Sequence, residues 1–146
     1  MQNSDGGWGW FSGYGESSYP HTTAVVVHGL LVARENGATI PDGVLNSGIN
    51  WLASYERGEV AALQLFAERK ALRDAGKKVK ETKKREKSSP DTTDAFVRLV
   101  LGEAKRDSKK MIDFLYQDRV DLPIYAKSLL GLELHRLADQ NAATKS

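Results

Sequence analysis

The chain has 146 residues, of which 40% are apolar and 27% charged, and its formal net charge is +2. That length supports one domain with a hydrophobic core. The composition excludes a disordered chain, and the small net charge gives no overall steering toward nucleic acid or membrane. The absence of cysteine removes disulfides, thiolate metal sites, cysteine nucleophiles and thioesters together. No apolar run approaches the roughly 20 residues that span a bilayer.

Residues 1–19 are rich in glycine, serine and aromatics: Gly6, Gly7, Trp8, Gly9, Trp10, Phe11, Gly13, Tyr14, Gly15 and Tyr19. Glycine allows close backbone approach and the aromatic rings gain by burial. The segment therefore reads as an ordered loop in which Trp8 and Trp10 pack on helices. It lacks the basic stretch and apolar core of a signal peptide, so the chain reads as cytoplasmic or as a segment of a longer protein. The polar, glycine-rich start favours the second.

The apolar spacing predicts five helices. The first covers about 20–36: Pro20 suits its first turn, Gly37 suits its stop, and its apolar residues lie nearly all round. A second spans about 43–72 behind Asp42 as N-cap, with Gly58 a candidate kink. From Arg69 to Lys87 the chain turns basic, and past Leu72 only Val79 is large and apolar before Pro90. Residues 73–89 are expected to be a basic linker or solvated helix extension that buries almost nothing. Ser89-Pro90 is read as the opening of a third helix to about 105, followed by helices near 108–117 and 122–139 and a fraying tail from Asn141. The whole is one all-α unit, residues 1–146, built as helical hairpins joined by short connections.

Little in this pattern carries chemistry. His21, His28 and His135 are the only histidines, and none has a partner at metal-ligand spacing. His28 reads as a hydrogen-bonded core residue. No nucleophile elbow, phosphate loop or dinucleotide fingerprint is present, and the basic run lacks the interleaved aromatics that stack on bases. No catalytic residue, metal ligand or cofactor is expected, and neither a nucleic-acid partner nor a membrane span.

Two stretches carry a resemblance. One is Asp5-Gly6-Gly7-Trp8-Gly9-Trp10-Phe11, then Tyr19-Pro20-His21-Thr22-Thr23-Ala24, then Val44-Leu45 and Trp51-Leu52. The other is Leu115-Tyr116, Arg119, Leu122, Tyr125-Ala126-Lys127 and Leu129-Leu130-Gly131-Leu132. Both resemble the thioester-type helical domain of the bacterial alpha-2-macroglobulin family. The resemblance implies an incomplete alpha/alpha toroid like that of terpenoid cyclases and protein prenyltransferases. It implies a non-catalytic fragment of a protease-trapping inhibitor, periplasmic or extracellular, whose partners are the rest of the parent protein and, through it, proteases. Asp5, Gly6, Gly7, Trp8 and Trp10 would be its structural motif. The Lys-rich segment departs from the family pattern. Gln2-x-x-x-Gly6-x-Trp8 also resembles the Gln-Trp clamp of squalene-cyclase-like enzymes. The alternative is therefore a fragment of such an enzyme, although the cyclases' Asp-rich acid motif and the prenyltransferases' cysteine ligand are both missing.

Overall fold

The structure, a computed structural model, describes residues 1–11 and 16–145. Gly13, Tyr14 and Gly15 of the N-terminal loop lie outside the described residues. The described residues form five helices: α1 (Pro20–Glu35), α2 (Asp42–Asp74), α3 (Thr92–Glu103), α4 (Lys109–Gln117) and α5 (Ile124–Lys145). There is no strand among the described residues, so the protein is all-α. Among the described residues no helix is long and apolar enough to cross a membrane.

The helix ends follow local chemistry. Pro20 opens α1, and Asn36 closes it before Gly37, whose φ of +90° is the left-handed turn that favours glycine. α2 runs unbroken through Gly58, which sits on the exposed side of the helix. α3 starts later than the Ser89-Pro90 signal suggests, because a stronger cap lies downstream. Asp94 N donates to Asp91 Oδ1 and Asp91 N donates to Asp94 Oδ2, both at 2.9 Å, a reciprocal capping box. α5 continues to Lys145, past the tail expected to fray, with its last turns largely exposed.

The helices lie in two rows. α1, α3 and α5 pack in series, α2 and α4 pack on each other, and neighbours in sequence bridge the rows. The apolar residues form two clusters. One joins Ala24, Val27 and Leu31 of α1 to Leu45, Ile49 and Leu52 of α2 and to Val97, Val100 and Leu101 of α3. The other joins Val60 and Leu63 of α2 to Met111 and Leu115 of α4 and to Leu122, Ala126, Leu129 and Leu130 around α5.

The basic segment corrects one expectation. After Gly76 (φ +70°) the chain leaves the helical conformation and returns along α2 as an extended strap. Its far end is anchored rather than solvated. Lys87 N donates to Ala62 O at 3.1 Å, Arg69 Nε pairs with Glu86 at 2.7 Å, and Lys87 is largely buried. Lys77, Lys78, Lys80, Lys83 and Lys84 stay exposed. Limited trypsin treatment of the native protein is therefore expected to cut first after these five lysines. First cuts after Arg85 or Lys87, read by mass spectrometry, would mean that the anchor is not formed.

Candidate functional site

The Asp5-Gly6-Gly7-Trp8 turn is the first of two polar constellations. Asp5 Oδ1 accepts from Gly7 N at 3.0 Å and from Ser18 Oγ at 2.6 Å, while its Oδ2 accepts from Trp51 Nε1 on α2 at 2.9 Å. Burial is the largest single influence and opposes ionisation, but the hydrogen bonds from Ser18, Gly7 and Trp51 together outweigh it and hold the Asp5 carboxyl below its ordinary range. Gln2 Nε2 donates to Gly6 O and to Val44 O, at 2.8 and 2.9 Å, which ties the turn to the start of α2. Trp8 N donates to Thr23 Oγ1 at 2.9 Å, which ties it to α1.

Space dictates several glycines here, Gly6 and Gly48 among them. Gly6 has φ +94°, and a Cβ there would lie 2.7 Å from Ser47 O. A Cβ on Gly48 would lie 2.7 Å from the Trp8 ring, so α2 presents a notch into which Trp8 lies. Trp8 is half-buried against the α1–α2–α3 cluster. Trp10 is not: it is 71% exposed and Phe11 83%. The expectation that both tryptophans pack on helices therefore fails for Trp10, because the notch at Gly48 takes the Trp8 ring and not that of Trp10. An open polar groove of about 660 Å³ runs beside the turn, lined among others by Gln2, Asp5, Asn50, Trp51 and Arg57.

The second constellation is a belt of buried charge that the sequence reading did not single out. Arg98 is 1% exposed. Its Nη1 donates to Glu56 Oε1 at 2.7 Å, its Nη2 donates to the Arg106 carbonyl, and Glu133 Oε1 lies 3.8 Å from its Nε. Glu133 is held in turn by Arg136, at 2.8 and 2.9 Å, and Arg136 reaches Asp107 at 2.6 Å. Nearby, Lys87 Nζ sits among Glu59 (2.5 Å), Asp91 (2.8 Å) and Asp94 (2.6 Å), and Arg85 also pairs with Glu59. These three carboxylates converge closely enough to hold a metal ion, but the Lys87 ammonium lies between them and supplies the positive charge.

The two halves respond to burial differently. Burial raises Glu59, yet hydrogen bonds from Arg85 and Lys87 bring it below its ordinary value. Burial would lower Lys87, but hydrogen bonds to Asp91, Asp94 and Glu59 raise it instead. Burial lifts Asp94 to about 6 in spite of the Lys87 hydrogen bond, whereas burial raises its cap partner Asp91 less than the hydrogen bonds from Lys87 and Asp94 N lower it, and Asp91 falls.

A sequence signal for the belt exists. Glu56 and Glu59 continue the α2 face of Ile49, Leu52, Val60 and Leu63. Asp94 and Arg98 share the α3 face of Ala95 and Leu101, and Glu133 follows Leu129 and Leu130. Charges placed in core register have to be paired. The histidines lie elsewhere. His28 Nδ1 is 2.9 Å from Glu103, hydrogen-bonded as expected, but its side chain is 44% exposed rather than in the core. The His21 ring packs on Phe96, and His135 pairs with Asp139 on the surface.

No family model, no curated protein and no solved structure matches this chain.

Two sets of substitutions probe these constellations. Trp8→Ala is expected to cost about 2 kcal/mol, whereas Trp10→Ala is expected to stay within about 0.5 kcal/mol of wild type. Equal losses in urea unfolding would mean that Trp10 is packed after all. Lys87→Met, which strands the buried carboxylate of Asp94 and leaves Glu59 to Arg85 alone, is expected to lose about 3 kcal/mol or more. An unchanged unfolding midpoint would contradict the anchored strap.

Proposed function

We propose that this chain is a non-catalytic helical domain of the alpha-2-macroglobulin type, acting within a larger protein that traps proteases in the periplasm or outside the cell. One observation carries the reading: the residues behind the first stretch of resemblance meet at a single joint. Asp5 bonds Trp51, Gly6 backs onto Ser47, and Trp8 bonds Thr23 and fills the notch at Gly48. Residues scattered over some fifty positions thus act as one clamp between the N-terminal turn, α1 and α2. The second stretch supplies Leu115, Leu122, Ala126, Leu129 and Leu130 to one core cluster. The two-row order of the helices, with α1, α3 and α5 in series, agrees with an arc of an alpha/alpha toroid.

In such a protein the covalent chemistry belongs to a thioester between a cysteine sulfur and a glutamine carbonyl, whose thiolate leaves when a nucleophile attacks the acyl carbon. With no cysteine, this domain's part is structural: it presents helical surface to the rest of the protein and through it to a captured protease.

The test uses the native full-length protein incubated with trypsin. The complex is expected to keep hydrolysing a small chromogenic peptide while losing activity on casein, because trapping excludes large substrates and leaves the catalytic site free. Equal loss on both substrates, or no loss on either, would sink the proposal. The 146-residue chain alone is expected to take up no labelled methylamine by intact mass. A stoichiometric adduct would overturn its non-catalytic assignment.

A further inference from the structure

We infer that Glu56, Arg98 and Glu133 form a proton-gated clamp, in which protonation of Glu56 releases the Arg98 guanidinium from α2 toward Glu133 on α5. The geometry is asymmetric in a way that a plain structural ion pair is not. Two buried carboxylates from different helices face one buried guanidinium. Glu56 holds it by a single hydrogen bond, from Nη1 to Oε1 at 2.7 Å. Its other oxygen, Oε2, is buried and accepts no hydrogen bond from the protein. Glu133 by contrast is fixed by two bonds from Arg136. Arg98 Nε points a buried, unused donor with Glu133 Oε1 already 3.8 Å away. A shift of about an ångström closes that distance to hydrogen-bond range. When Glu56 is neutral, its Oε1 can still accept from Nη1, but the charge attraction that opposes the shift is gone.

The charges around Glu56 bias it toward the neutral form. From α3 it meets the attraction of Arg98 and the repulsion of Asp94, and from α5 the repulsion of Glu133. Arg136 is committed to Glu133 and Asp107, and Arg106 reaches Asn50. Lys105, Arg106 and Asp107 of the α3–α4 connection line a cleft with Glu56 and its neighbour Arg57, and Lys110 of α4 lines the adjoining one. Burial is the largest influence. With the repulsion of Asp94 and Glu133 it outweighs Arg98 and lifts the Glu56 carboxyl to about 7. The clamp therefore changes state in the range where an ordinary glutamate is fully ionised.

Arg98 also holds the Arg106 carbonyl, so its position affects the α3–α4 connection. The Glu56 proton thus tunes how firmly α2 is tied to α3 and to the turn that leads into α4. The sign of the stability effect follows from linkage. The folded value lies above the unfolded one, so the folded state binds the extra proton and gains stability as the pH falls below about 7. The gain is complete below the ordinary glutamate value of 4.5.

The experiment is a carboxyl-carbon NMR titration of the full chain, with the Arg98 Nε–H resonance followed in parallel and unfolding measured for wild type and Glu56→Gln from pH 8 to 5. Glu56 is expected to titrate between about pH 6 and 8, with the Arg98 resonance moving at the same midpoint. The wild-type folding constant relative to Glu56→Gln is expected to rise about tenfold per pH unit between about pH 6.5 and 5. A Glu56 midpoint below pH 5, an Arg98 resonance that ignores the titration, or a pH-independent ratio would each overturn the clamp. If Glu56→Gln does not fold, the wild-type titration decides alone.

Discussion

The rest of the structure depends on burying Arg98. A guanidinium taken out of water costs several kcal/mol unless anions and carbonyls replace its hydration, and this one is 1% exposed in the middle of three helices. Its partners come from α2 (Glu56), from α5 (Glu133) and from the backbone after α3 (Arg106). Those three elements are therefore fixed around α3 by the need to satisfy one side chain. The buried apolar residues divide into two clusters, both of which draw on α2 and α3. Apolar faces tolerate sliding by a turn, whereas a charge buried opposite a carboxylate does not, so the belt specifies which turn of α2 meets which turn of α3. Gly102 belongs to the same arrangement, because the Glu133 carboxylate occupies the space its Cβ would need.

The N-terminal clamp solves the same problem with neutral groups. A glycine-rich turn loses much conformational entropy on ordering, and it stays ordered because nearly every polar group in it has a partner. Asp5 takes hydrogen bonds from a backbone N–H, a serine and an indole, and Gln2 bridges two carbonyls. Trp8 adds apolar contact where Gly48 leaves room. Trp10 and Phe11 meet no such notch and project into solvent two and three residues later, although Phe11 N still donates to Glu16 Oε1.

This contrast explains what was legible in the sequence. The all-helical class and the five helices follow from 3.6-residue periodicity, and their ends fall within a few residues except where a tertiary or capping competitor intervenes. Asp91 with Asp94 outcompetes Ser89-Pro90 at the start of α3, and α5 outruns its polar tail. Asp5, Gly6, Gly7 and Trp8 are recognisable as a unit because their spacing is local. The ion belt was not, although its members occupy core register, since a charge reads as exposed until the partner that another helix or the strap brings to it is known. Glu56 and Arg98 are 42 positions apart. Tyr125 and Leu132, both in the second stretch of resemblance, are 58% and 57% exposed, because a sequence pattern marks apolar residues without fixing which of them find a neighbour.

The strap shows why burial, rather than charge count, decides what a basic run does. Lys77 to Lys84 carry five lysines in water, where each cation is well hydrated and an ion pair contributes little. Three residues later Lys87 has the same side chain, but its ammonium lies among Glu59, Asp91 and Asp94, and the Asp94 side chain is fully buried. There the ammonium is the counter-charge without which two α3 cap residues and an α2 glutamate would repel one another. Asp91 and Asp94 also form the capping box that starts α3, so Lys87 neutralises the cap of the helix that carries Arg98. The strap's anchored end and the central guanidinium are thus coupled through one helix: α3 begins where it does because Lys87 permits two aspartates at its first turn, and that start places Arg98 one turn later, between Glu56 and Glu133.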